Sequence, residues 1–125
     1  MATHNELGKK GEEKALEYLL QKGHVLLERN YRVGRDEADL ITRHKNCVVF
    51  VEVKTRSSNA FGEPEEFVNA KKRKAMKRIA EEYLHQNKLD SDVRFDVVSV
   101  SNENGELKVY HIEDAFFNEE SDAYN

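Results

Sequence analysis

Cys47-Val48-Val49-Phe50-Val51-Glu52-Val53-Lys54 is an apolar run interrupted only at its end, by two charged residues spaced two apart. A run this short, rich in β-branched residues and preceded by the turn-forming His44-Lys45-Asn46, reads as a central β-strand covered on both faces. Side chains alternate across a strand, so Glu52 and Lys54 project to one side while Val51 and Val53 project to the other. The stretch before the turn, 37–43, reads as a second strand in which Glu37, Asp39 and Ile41 share a face. If the turn closes a hairpin, Asp39 meets Glu52 across it.

Working outward, residues 6–22 carry Leu7, Ala15, Leu16, Leu19 and Leu20 at helical spacing, with Gly23 where a helix-ending glycine belongs. Residues 24–32 read as a strand carrying Val25, Leu26 and Leu27. Ser57 to Glu63 reads as a loop containing Gly62. The single proline, Pro64, opens a helix over 64–87 whose buried side holds Phe67, Met76, Ile79, Ala80, Tyr83 and Leu84. Residues 93–100 and 106–112 read as strands joined through the Asn104-Gly105 hairpin signal. A short helical turn is expected around Ala115 to Phe117. The order α-β-β-β-α-β-β makes a layered α/β domain with a central mixed sheet of about five strands flanked by helices.

The bounds agree with that reading. At 125 residues the chain has the length of one domain (1–125) and can bury a core without disulfides. The single cysteine, Cys47, lies inside the apolar strand and reads as an inert core thiol. One cysteine and no apolar N-terminal stretch point to the cytoplasm, and no apolar run is long enough to span a membrane. The net charge of −4 is unevenly spread. The acidic end, 113–125, carries Glu113, Asp114, Glu119, Glu120 and Asp122 without a base and is expected to be partly disordered; the rest has 19 acids against 20 bases. The bases cluster, as Lys71, Lys72, Arg73, Lys74, Lys77 and Arg78 and again as Arg29, Arg32 and Arg35. Such runs are usually solvated faces, but they also suit phosphate.

The candidate chemistry lies on the hairpin. Two carboxylates held together at the end of an apolar sheet repel each other and cost free energy to bury. A divalent cation resolves the conflict. Mg²⁺ (or Mn²⁺) prefers oxygen ligands and keeps several waters, so Asp39, Glu52 and the backbone carbonyl of Val53 suffice to hold it. Lys54 would then orient an attacking water or offset charge in a phosphoryl transition state. Read alone, a Glu-x-Lys on a strand is more often an exposed cross-strand ion pair.

Gly34-Arg35-Asp36-Glu37-Ala38-Asp39-Leu40-Ile41 followed by Val49-Phe50-Val51-Glu52-Val53-Lys54-Thr55-Arg56 resembles the YraN-like family of bacterial proteins. So do Gly8-Lys9-Lys10-Gly11-Glu12 with Ala15, Asn30-Tyr31-Arg32, Lys72 with Ala80, Tyr83 and Leu84, and Arg94-Phe95-Asp96-Val97-Val98. That family is similar to archaeal Holliday-junction resolvases of the restriction-endonuclease-like superfamily. Their pattern places a Glu on the first helix, an Asp on the second strand and a Glu-x-Lys on the third, matched here by Glu12, Asp39, Glu52 and Lys54. The resemblance implies a restriction-endonuclease-like domain with a Mg²⁺-dependent nuclease site. Nucleic acid, in particular branched or single-stranded DNA, is the implied partner, and a homodimer is open. Lys71, Lys72, Lys74 and Arg56 are the candidate phosphate contacts. A catalytically silent binding module that keeps the fold is the alternative. Two departures stand out: Ala38 replaces a larger apolar residue, and Asp36 adds a third acid near the site.

Other features read blandly. Gly8-Lys9-Lys10-Gly11 resembles the backbone clamp of KH domains, but no helix fits before it. The histidines at 4, 24, 44, 85 and 111 show no pair at zinc spacing. Glu37 reads equally as a carboxylate supporting the site or as a rim acid, and Asp96 reads as a partner of Arg94.

Overall fold

In the computed structural model, residues 4–57 and 69–115 are described. They form α1 (His4–Gln21), β1 (Val25–Val33), β2 (Asp36–His44), β3 (Cys47–Arg56), α2 (Ala70–Gln86), β4 (Asp92–Glu103) and β5 (Glu106–Ile112). The five strands make one sheet in the order β1-β2-β3-β4-β5. All neighbours are antiparallel except β3 and β4, which run parallel because α2 carries the chain back across the sheet. The α/β class and the five-stranded mixed sheet are as the sequence implies. The expected helix start at Pro64, Phe67, and most of the 57–63 loop lie outside the described residues. Ala115 ends a turn, and Phe117 lies outside too.

Strand β3 is the centre of the fold. Val48, Val49, Phe50 and Val51 are all fully buried, because each face of the strand meets a helix. On one face Phe50 and Val48 pack with Ile41 and Ala38 of β2 and Met76, Ile79 and Tyr83 of α2. On the other Val49 and Val51 pack with Leu40, Val98 and Val100 and with Ala15, Leu16 and Leu19 of α1. Ala38 is fully buried in this layer, so the small side chain there bears on packing. At roughly 25 cal/mol per Å² of apolar surface, these two layers are the main source of stability.

The chain reversals follow local chemistry. Asn104 and Gly105 both have positive φ, 57° and 84°, as a two-residue hairpin turn requires. Gly23 takes φ 94° after α1 and ends the helix. The Asn69 side chain caps α2 by accepting the Lys72 N–H at 2.9 Å.

Two sequence expectations are corrected. Leu20 does not belong to the buried stripe of α1; it is 47% exposed, lying just beyond the arc that meets the sheet. Cys47 is half-buried and not a core thiol, because it opens β3 at the edge of the packed layers.

Candidate functional site

The site lies where β2 and β3 diverge. The β2–β3 ladder runs from His44↔Cys47 to Leu40↔Val51. One step further, Asp39 no longer pairs backbone to backbone. Its Oδ2 accepts the Val53 N–H at 2.7 Å. In an extended strand the N–H and C=O of one residue face the same neighbour, so the Val53 carbonyl faces the Asp39 side as well.

Glu52 projects from β3 on the face covered by α2, and its residue is 8% exposed. Two ammonium groups hold its carboxylate: Lys54 Nζ lies 3.3 Å from Oε1 and Lys72 Nζ 2.9 Å from Oε2. Lys54 comes from the same strand face, two residues on. Lys72 comes from the first turn of α2, a turn that has no acidic residue although the helix dipole favours one there. Its position is explained by the carboxylate it reaches.

The four residues of the expected catalytic set come together. Burial and the Glu52 carboxylate push the Asp39 pKa from 3.8 up to about 7, against the lowering effect of the Val53 N–H; Glu12 and Glu37 push it the same way. Glu12, on α1, is raised above its ordinary value by burial first and then by Glu37, with Glu13 and Glu52 adding to the shift. Glu12 reaches this end of the sheet because Gly11 lets α1 lie directly on β3. A Cβ on Gly11 would sit 2.1 Å from Thr55 Oγ1 and 3.0 Å from Thr55 Cβ. The Gly8-Lys9-Lys10-Gly11 segment is therefore part of a helix, with Gly11 as a packing contact.

Around this centre, Glu37 pairs with Arg32 at 2.9 Å, on the rim. Asp36 is turned to Arg78 of α2 at 2.9 Å and does not join the site. Arg56 donates toward Ser99 Oγ at 3.5 Å. Lys71 and Lys74 are exposed on α2, whereas Lys72 is half-buried and engaged with Glu52.

Among the described residues no three His, Cys, Asp or Glu side chains are arranged to hold a metal ion. Two carboxylates and a carbonyl do match the small protein share that Mg²⁺ takes. The mutual repulsion of Asp39, Glu52 and Glu12 is what a cation would relieve, so the donor set fits such an ion.

At the other end of the sheet the structure assembles a second polar cluster that sequence spacing did not reveal. The His24 and His44 rings stack at 4.1 Å, and His24 Nδ1 lies 2.7 Å from Thr42 Oγ1. His111 Nε2 lies 2.8 Å from Asp96 Oδ2. Arg94 binds Asp96 through Nε at 2.9 Å and a terminal nitrogen at 3.0 Å, as the sequence suggested, and also reaches His44. Burial alone would raise Asp96, but hydrogen bonds from His111, Arg94 and the Asp114 N–H outweigh it and hold the carboxyl below its usual range. Burial, then His44, depresses His24 to about 4. These residues come from positions 24, 42, 44, 94, 96 and 111, so no local motif announces them.

No described helix is long and apolar enough to cross a membrane. Comparison with known proteins adds the family. A UPF0102 protein of Christiangramia forsetii is 44% identical over 117 residues, covering 94% of this chain and 98% of the relative. A Flavobacterium psychrophilum UPF0102 protein matches to the same extent, and one from Thermodesulfovibrio yellowstonii is 44% identical over 112 residues. The crystal structure of SSO0001 aligns with 99% of this chain and 62% of its own at 18% identity and a TM-score of 0.40, too distant to transfer anything. The profile of the uncharacterised protein family UPF0102 matches residues 11–100, a span that contains Glu12, Asp39, Glu52 and Lys54, and the chain belongs to that family.

Proposed function

We propose that the protein is a metal-dependent endonuclease acting on DNA phosphodiester bonds, with branched or single-stranded DNA as its substrate class. The observation that carries this reading is the meeting of Asp39 and Glu52 where the β2–β3 ladder opens, with Glu12 alongside and Lys54 on the same strand face as Glu52. Fold stability does not call for like-charged carboxylates placed together in a largely buried setting. Asp39, Glu52 and the Val53 carbonyl would hold Mg²⁺ or Mn²⁺. When bound, such an ion supplies a polarised phosphoryl oxygen and a water of lowered pKa. Lys54 would orient the water and offset charge on the phosphoryl group, Glu12 would position solvent at the rim, and the exposed Lys71 and Lys74 would contact the phosphate backbone. The acidic net charge of the chain does not oppose this, because the excess sits at the C-terminal end.

A second reading has one specific observation behind it. Lys54 and Lys72 already neutralise Glu52 without a metal, which is enough for a domain that binds nucleic acid and does not cut it. The two readings separate on one experiment. Branched, single-stranded and linear DNA are incubated with the protein in Mg²⁺ or Mn²⁺, beside Glu52→Gln. Cleavage of any substrate that disappears in the variant supports the nuclease. Binding without cleavage in either metal supports the binding module.

A further inference from the structure

We infer that Lys72 is a tethered counter-ion that serves two anions in turn: the Glu52 carboxylate while no cation is bound, and a nucleic-acid phosphate once one is. The inference rests on the metal and nucleic-acid readings above and adds a coupling between them.

The charges at the site define the coupling. Lys54 Nζ stands 3.3 Å from Glu52 Oε1 and Lys72 Nζ 2.9 Å from Oε2, around a side chain that is 11% exposed. Three carboxylates, those of Glu12, Asp39 and Glu52, thus face two ammonium groups. A divalent cation brings the positive total to four against three and leaves one positive charge for an anion from outside. An ammonium and a divalent cation sharing Glu52 also repel each other strongly where water is scarce.

Three observations make Lys72 the group that moves. Its hold on Glu52 is ionic only: among the described residues Oε2 is buried with no hydrogen-bond partner, although the ammonium is 2.9 Å away. Its backbone belongs to another element. Lys54 grows from β3 itself, where pairing with Ser99 of β4 fixes it two residues from Glu52. Lys72 comes from α2, so a swing of its flexible stem carries the ammonium away without moving the backbone. Its side chain is already 29% exposed. Finally, Lys71 and Lys74 are exposed beside it. Bases in the first turn oppose the helix dipole, and a phosphate arriving there relieves the opposition.

In the metal-free protein Lys72 is engaged with Glu52, and a phosphate meets Lys71 and Lys74 alone. With a cation on Glu52, Lys72 joins them as a further phosphate contact. Cation and nucleic acid then each raise the affinity for the other. A Lys72 that is only a permanent brace for Glu52 would add nothing to nucleic-acid binding in either state.

The test measures duplex DNA binding against salt by fluorescence anisotropy, in EDTA so that nothing is cut. Glu52→Gln keeps the shape of the residue and releases Lys72 without any metal. Its log–log slope should be steeper than that of wild type by about 0.9, one phosphate more, which is about a 3.5-fold difference between about 50 and 200 mM salt. The double variant Glu52→Gln/Lys72→Met should lose that gain, whereas a general effect of removing one negative charge would survive in it. Circular dichroism checks the fold of each. Acetylation of the wild-type protein, read by mass spectrometry, gives a measurement independent of the variants: Mn²⁺ should make Lys72 react several-fold faster than in EDTA. No gain in Glu52→Gln, a gain that persists in the double variant, or Mn²⁺ that binds by calorimetry without exposing Lys72 would overturn the inference. Mn²⁺ that does not bind at all would remove the metal site itself, and a wild-type protein that binds no DNA would remove the nucleic-acid reading.

Discussion

Lys72 Nζ lies 2.9 Å from Glu52 Oε2 and so ties the first turn of α2 to the central strand. Glu52 is nearly buried, and its carboxylate needs a counter-charge whether or not a cation is bound. Lys72→Met should cost about 1–2 kcal/mol in metal-free protein, more than an exposed pair and less than a fully buried one. Mg²⁺ should restore most of that loss. Urea denaturation of both proteins with and without Mg²⁺ measures it; an equal deficit in both conditions would show that Lys72 acts independently of the metal.

Lys54 separates a catalytic group from half of an ion pair. If it acts on the transition state, Lys54→Ala should lower cleavage by about 10²- to 10³-fold. Mn²⁺ affinity should stay the same or rise slightly as a nearby positive charge is lost. Calorimetry and single-turnover cleavage read the two effects separately. Cleavage at the wild-type rate would refute the role.

Asp39 gives the metal site a pH dependence of known sign. Its folded pKa is about 7, above the ordinary 3.8, so below pH 7 a cation must displace a proton. Mn²⁺ affinity should therefore rise up to about tenfold per pH unit toward 7 and level off above it. For the metal-free protein the raised pKa means that stability falls as pH rises from about 4 to 7, and the cost is complete above 7. Asp39→Asn should remove the metal and, at pH 8, leave the protein about 1–3 kcal/mol more stable. Calorimetric titrations and denaturation curves across pH 5–8 check both signs.

Gly11 tests the seating of α1. Gly11→Ala improves helix propensity by up to about 1 kcal/mol. The new Cβ nevertheless collides with Thr55, and the overlap extends to Thr55 Cβ, which no rotamer can move. A net loss of about 1–2 kcal/mol is expected, together with displaced Glu12. Thr55→Ala in the same chain removes Oγ1 and Cγ2 but keeps Cβ, and should recover part of the stability, as a thermal melt would report.

The hairpin half of the site was legible because alternation along β3 assigns Glu52 and Lys54 to one face without any knowledge of the fold. Alternation breaks in β2 beside Asp39: Ala38 and Ile41, three apart, pack in one layer and Leu40 in the other, so the turn and not the face count brings Asp39 to β3. Glu12 was not readable from the residues, since an acid on an amphipathic helix has many ordinary explanations; only the family resemblance singled it out. The pairing of Lys72 with Glu52 depends on the rotation of α2 over the sheet, which composition does not specify among six clustered bases. An acid-free first turn was the available hint. The histidine cluster was invisible for a related reason: its members are far apart in the chain, and only the parallel crossover sets β4 beside β3, so that Arg94 reaches across β3 to His44 of β2.

Asp96 and His111 also act as a proofreading device for strand alignment. The apolar pattern of β4 and β5 repeats every two residues, so sliding β5 by two along β4 would keep every side chain on its proper face. Hydrophobic burial alone discriminates weakly against that error. In the slid arrangement, however, His111 would leave Asp96, whose side chain has no solvent exposure. A misaligned sheet would thus lose a charge-assisted contact to an interior carboxylate. The cluster penalises one specific mistake.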